Sequence, residues 1–185
     1  MKPARTAHAT SIGRIFDAQE YLSPRRHSSW CNLCGAQPRG ICHGASSNAQ
    51  SPEENKTAVQ NKFDAWRAGT GSPFELLAED ARWTIEGNSA ASKAYPNREA
   101  FLADVIRPFN ARMSVGLKPT IRSIIAEDDR VVILFDAQGT ARDGKPYINT
   151  YVWFFKMRSG SVVEANAFFD AIAFDDLWSR VKPAP

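Results

Sequence analysis

Tyr147, Asn149, Tyr151, Trp153 and Phe155 stand two residues apart. In an extended chain they share one face. Large rings with polar tips, grouped around one amide, have the composition of a small-molecule pocket wall. Such a wall is apolar enough to bind and carries a few groups that orient a carbonyl or hydroxyl. Tyr147, Asn149 and Tyr151 are candidates for orienting or polarising a ligand carbonyl or hydroxyl. Proton transfer would fall to a strand carboxylate, and Asp170 and Asp136 are the candidates. The candidate ligand contacts are Trp83, Tyr95, Tyr147, Asn149, Trp153 and Phe169, with Tyr95 placed in a loop over the pocket mouth. Each residue also has a structural alternative. The rings can pack on helices, Asn149 can bond to backbone, and Asp170 can cap backbone amides.

Composition narrows the chemistry further. All three histidines (His8, His27, His43) and all three cysteines (Cys31, Cys34, Cys42) precede residue 51. The remainder can therefore build no Cys or His nucleophile pair, no Ser-His-Asp triad and no His-ligated metal site by itself. Hydrophobic residues make up 43% of the 185, enough for one domain with a core and an extension. No apolar run is long enough to span a membrane. The formal charge of +3 is uneven: residues 1–50 hold six Lys/Arg against two Asp/Glu, and the rest hold seventeen against eighteen. The basic character belongs to the first fifty residues and is no argument for nucleic-acid binding by the folded part.

Residues 1–50 mix Arg, Ser, Ala, Gly and Pro without sustained apolar periodicity, and are expected to be a mostly disordered basic extension. Lys2, Arg5 and Arg14 are followed by no apolar stretch of the signal-peptide type, so a cytoplasmic protein with free thiols is the expectation. Cys31-x2-Cys34 has zinc-knuckle spacing, but Cys42 and His43 are adjacent and reach one tetrahedral centre poorly; no metal is assigned.

The elements that must position the candidates follow from residue 51, and one domain is expected over 51–182. Ser51-Pro52-Glu53-Glu54 is a capping box opening a helix with Val59, Phe63 and Trp66 on one stripe, ending at Gly69. Ser72-Pro73-x-Glu75 repeats the signal for a short helix through Leu77, and Ala81–Glu86 reads as a strand. Asn97 caps a helix carrying Phe101, Leu102, Val105 and Ile106, which Pro108 should kink. Strands are expected at Thr120–Ala126 and Val131–Ala141. Two more follow in the hairpin Asp143–Phe174, joined at Arg158-Ser159-Gly160, and a short terminal helix begins at Asp175. Helices first and strands last give an α+β fold, a curved antiparallel sheet wrapped around the N-terminal helices. A bent sheet of this kind leaves a conical hole.

The ordered motifs resemble the nuclear transport factor two-like superfamily, and within it the SnoaL-like branch related to ketosteroid isomerases and polyketide cyclases. They are Phe63-x-x-Trp66, Leu77-Ala78-Glu79-Asp80-x-x-Trp83-x-Ile85-x-Gly87, Asn97-Arg98-Glu99, Asp143-Gly144-x-Pro146-Tyr147-x-Asn149-x-Tyr151, and Gly160 with Phe168-Phe169-Asp170. The resemblance implies the cone-shaped ketosteroid-isomerase-like (cystatin-like) fold, a small apolar molecule as partner, and a homodimer. It implies either an isomerase, cyclase or hydratase working without metal or organic cofactor, or a non-catalytic binder or dimeric adaptor. The isomerases' general-base Asp falls at Thr84 or Ile85 here, and their oxyanion-hole Asp near Tyr151. The resemblance thus implies that Tyr151, with Asn149, stabilises oxyanion charge. The last-strand acid of limonene epoxide hydrolases falls at Ala167. SnoaL-type cyclases use an Asp as acid/base, for which only Asp136 and Asp170 are available on strands.

Overall fold

The computed structural model describes residues 50–184. The expectations for the basic extension and its cysteines lie outside them. Helix α1 (Pro52–Ala68) begins as the sequence predicts. The Ser51 hydroxyl accepts from the Glu54 amide at 3.2 Å, and the Ser51 amide donates to Glu54 Oε2 at 2.8 Å. Such a cap contributes about 1 kcal/mol. The second capping box, Ser72 with Glu75, opens only a single tight turn at Pro73–Leu76. Leu77 then starts strand β1 (Leu77–Ile85), four residues earlier than the alternation at Ala81 suggests.

A two-residue strand, β2 (Ala94–Tyr95), lies on β1. The helical run that follows is continuous but changes pitch. It passes from α2 (Arg98–Phe101) through a widened turn at Leu102–Ile106 to α3 (Arg107–Asn110). The expected kink is thus spread over a π-type turn, in which the Arg107 amide bonds to Leu102 O. Pro108 has no N–H and crowds the carbonyl four residues back, and the wider turn accommodates both defects.

Four long strands complete the sheet: β3 (Met113–Glu127), β4 (Arg130–Ala141), β5 (Pro146–Arg158) and β6 (Ser161–Phe169). The spatial order is β2-β1-β6-β5-β4-β3. All pairs are antiparallel except β1 with β6, so the sheet is mixed. β5 and β6 join through Ser159 and Gly160, both at positive φ (49° and 77°), the primed turn whose twist matches the flanking strands. β3 starts seven residues before the expected Thr120 because three register shifts interrupt its alternation. One of them brings Val115 so close to β4 that a Cβ on Gly139 would lie 2.7 Å from its carbonyl oxygen. Helix α4 (Ala171–Arg180) starts before the expected Asp175, with Asp170 as its N-cap.

Burial alternates strictly on the central strands. Val131, Ile133, Phe135 and Ala137 of β4 point inward with the odd-numbered residues of β5 from Tyr147 to Met157, while Ile148 and Phe154 lie exposed on the outer face. α1 covers β3 and β4, α2 lies on β1, and α4 lies on β5. Phe63 meets Phe135 and Trp153 edge to face at 4.9 and 5.6 Å, and Trp66 stacks on Trp153 at 6.2 Å. Among the described residues no helix is long and apolar enough to cross a membrane.

Candidate functional site

The helices pack on the inward face of the sheet and leave a cavity of about 620 Å³, within the usual size of a small-molecule site. Its wall is built from rings. β1 gives Trp83, β5 gives Tyr151 and Trp153, and β6 gives Phe169. Phe101 and Phe109 come from the helical run, Phe74 from the tight turn, and Phe174 from α4. Trp83 and Phe101 stack at 4.2 Å, and Trp83 meets Trp153 edge to face at 5.2 Å. The wall is therefore a connected set of rings, each held by its neighbours.

Tyr151 brings the only buried hydroxyl to this lining. Its ring stacks on Phe135 at 4.9 Å, and its hydroxyl lies 3.1 Å from that of Tyr147. Asn149 sits between the two in sequence and donates to the first. Its amide nitrogen donates to Tyr147 Oη at 2.9 Å and to Asp170 O at 3.0 Å, and its carbonyl oxygen accepts from the Asp170 amide at 2.9 Å. Either hydroxyl of the Tyr147–Tyr151 pair can be the donor. When Tyr147 donates, a chain runs from Asn149 through Tyr147 to Tyr151, and the Tyr151 proton is free for a ligand oxygen in the cavity.

The structure separates the candidates that the sequence grouped. Trp83, Tyr151, Trp153 and Phe169 line the cavity; Tyr95, Tyr147 and Asn149 do not. Tyr95 is not a mouth loop residue. It is buried on β2, paired with Trp83, and its hydroxyl donates to Ala91 O at 2.6 Å. Asn149 is spent on backbone and on Tyr147. Both carboxylate candidates lie away from the cavity. Asp136 is on the outer face of β4, where it accepts from Thr150 Oγ1 at 2.7 Å. Asp170 caps α4, accepting from the Ile172 amide at 2.9 Å. Ile85 and Ala167, where the resemblance places acids in related enzymes, both line the cavity, and neither can move a proton. No Asp, Glu or His is among the lining residues. Among the described residues no group of three or more His, Cys, Asp or Glu could hold a metal ion.

The helical rings Phe74, Phe101, Phe109 and Phe174 were not among the sequence candidates. Their apolar character marks them as core residues of short local elements, which does not show that they border a hole.

Burial pushes the Tyr151 phenol well above its ordinary range, and Tyr147 beside it adds to this. Burial also raises Tyr147, partly offset by its hydrogen bonds to Tyr151 and Asn149. Burial, with Asp104 nearby, pushes Tyr95 up to about 12. All three values are raised above the unfolded value of about 10, so the neutral phenols favour the folded state. That contribution is complete below pH ~10 and is lost as pH rises through the folded values. The melting temperature should therefore fall above pH ~10, with tyrosinate absorbance from these residues appearing together with unfolding. Three phenols titrating near pH 10 in a still-folded domain would contradict this burial.

The profile of the SnoaL-like domain family matches residues 59–165. Among solved structures, Bal32a from a soil-derived mobile gene cassette is 26% identical, with a TM-score of 0.57 over 69% of this chain and 98% of its own. An NTF2-like protein of unknown function from Burkholderia pseudomallei is 19% identical, with a TM-score of 0.57 over 68% and 98%. TerC, co-crystallised with polyporic acid, is 19% identical, with a TM-score of 0.54 over 67% and 97%. Among curated proteins none matches significantly.

Proposed function

Since this chain belongs to the SnoaL-like domain family, we propose that its hollow holds one apolar, ring-bearing small molecule, whose carbonyl or hydroxyl oxygen accepts a hydrogen bond from Tyr151. The observation that carries this reading is the ring-lined cavity of about 620 Å³ that holds the Tyr151 hydroxyl, backed by Tyr147 and Asn149, and among the described residues no carboxylate or imidazole. Rings supply affinity without directional demands, and the buried Tyr151 hydroxyl sets the orientation. The site polarises a carbonyl, and among the described residues its lining offers no carboxylate or imidazole to take a proton. Binding and conformational templating are therefore favoured over general acid/base catalysis. Any acceleration would come from holding a reactive ligand in one folded shape with its oxygen against Tyr151.

Trp66, Trp83 and Trp153 line the cavity, so occupancy is read from indole fluorescence. The probe is 4-benzoylbenzamide, a neutral diaryl ketone, compared with 4-benzylbenzamide, in which the ketone is a methylene. Tyr151→Phe should weaken the ketone by about three- to tenfold, the worth of one neutral hydrogen bond, and leave the methylene compound unchanged. Equal weakening of both would show that Tyr151 acts only by packing, and would end the role given to its hydroxyl.

A further inference from the structure

The charge around the cavity is one-sided. Among the described residues its only charged lining residues are Arg67 and Lys118, both exposed. This runs against the balance of residues 51–185, which hold eighteen Asp/Glu and seventeen Lys/Arg. Arg67 comes from the last turn of α1 and shares Asp64 Oδ1 at 3.1 Å. Lys118 comes from the bulged part of β3 and forms no ion pair among the described residues. Asn110 and Ser72 add neutral polar groups to the lining. The interior is thus ringed and uncharged, and the mouth is cationic with no acid on the lining.

We infer that the ligand is an aromatic carboxylate, with its rings and a ketone or hydroxyl oxygen inside and its anionic group left at the rim between Arg67 and Lys118. A carboxylate drawn into the rings would lose its hydration without a partner, which is prohibitively costly. At the mouth it keeps part of its water and gains two cations. Lys118, having no carboxylate of its own, is the stronger contributor. The same cations raise the local concentration of anions and speed their capture at low salt. This inference rests on the pocket reading above, deepening it from an apolar ligand to an anionic amphiphile.

The test compares 4-benzoylbenzoate with 4-benzoylbenzamide, which share their rings and ketone and differ in charge. At low salt the wild-type chain should prefer the carboxylate by about three- to tenfold, the scale of solvent-exposed ion pairs. Added salt should erase the preference. Lys118→Gln should remove most of it, and Arg67→Gln with Lys118→Gln the rest, each read as the ratio of carboxylate to amide affinity in the same variant. Both positions are exposed, so the variants should keep the wild-type melting temperature. Equal binding of the two probes by the wild-type chain, or a preference that survives the double variant, overturns the anionic ligand and leaves the pocket standing. Binding of neither probe overturns the pocket reading and this inference with it.

Discussion

Ala167→Phe should abolish ligand uptake while leaving the domain folded. Ala167 is buried on β6, paired with Trp153 and Ile85, and lines the cavity. A phenyl ring placed there enters empty space. It gains apolar burial among rings and costs little of the strain that an added side chain meets in a packed core. Affinity for 4-benzoylbenzamide should fall by at least about 100-fold, because the ring occupies the ligand's volume. The melting temperature should hold or rise. Ala165 is the control: it is equally buried, two residues earlier on the same strand, and does not line the cavity. Ala165→Phe should therefore destabilise by ~1–3 kcal/mol through overpacking. Chemical denaturation and fluorescence titration of both variants decide the matter. If the two lose stability alike, the interior is packed at both places and the hollow is not real.

Asn149→Ala should cost about 2–4 kcal/mol, more than an average substitution, because one amide serves three groups. It leaves the Asp170 N–H without a partner where β6 hands over to α4, leaves the Asp170 C=O with the Phe174 amide alone, and takes the donor from Tyr147. Asn149→Asp is the sharper variant. The introduced carboxylate still accepts from the Asp170 amide but donates to nothing, so the Tyr147 proton turns toward it. Tyr151 then donates to Tyr147, and the proton offered to the cavity is withdrawn. The expected signature is a loss of the ketone-over-methylene preference like that of Tyr151→Phe, with the cavity still able to take up the methylene compound. Retention of full ketone preference by a folded Asn149→Asp variant would refute the donor chain.

Both arguments depend on distinctions that alternation along a strand does not carry. Tyr147, Asn149 and Tyr151 share a face, so the sequence treats them alike. The end of β5 near Tyr147 is covered by helices, with Phe109 5.2 Å from the Tyr147 ring, while Tyr151 and Trp153 border the hollow. Asp136 shows the opposite problem. Val131 to Phe135 is apolar on both faces, so nothing local says which parity is inward. Its pairing with Thr150 on the outer face settles that, and pairing is a long-range fact. Tyr95 looked like a loop residue because two residues are too short to show a period, yet its pairing with Trp83 makes it part of the sheet.

What the sequence determined by itself is the set of features decided within a few residues. Both capping boxes, the primed turn at Ser159-Gly160, the shared ring face of β5, and the lack of His and Cys after residue 50 are of this kind. Each depends on local sterics, local hydrogen bonds or composition. With the ordered motifs they were enough to place the chain in its fold. The tertiary structure alone decided which buried rings face a void and that, among the described residues, no carboxylate lines it and its charged lining is cationic. A void is the space that several distant elements fail to fill, and no single element's pattern records what stands opposite it.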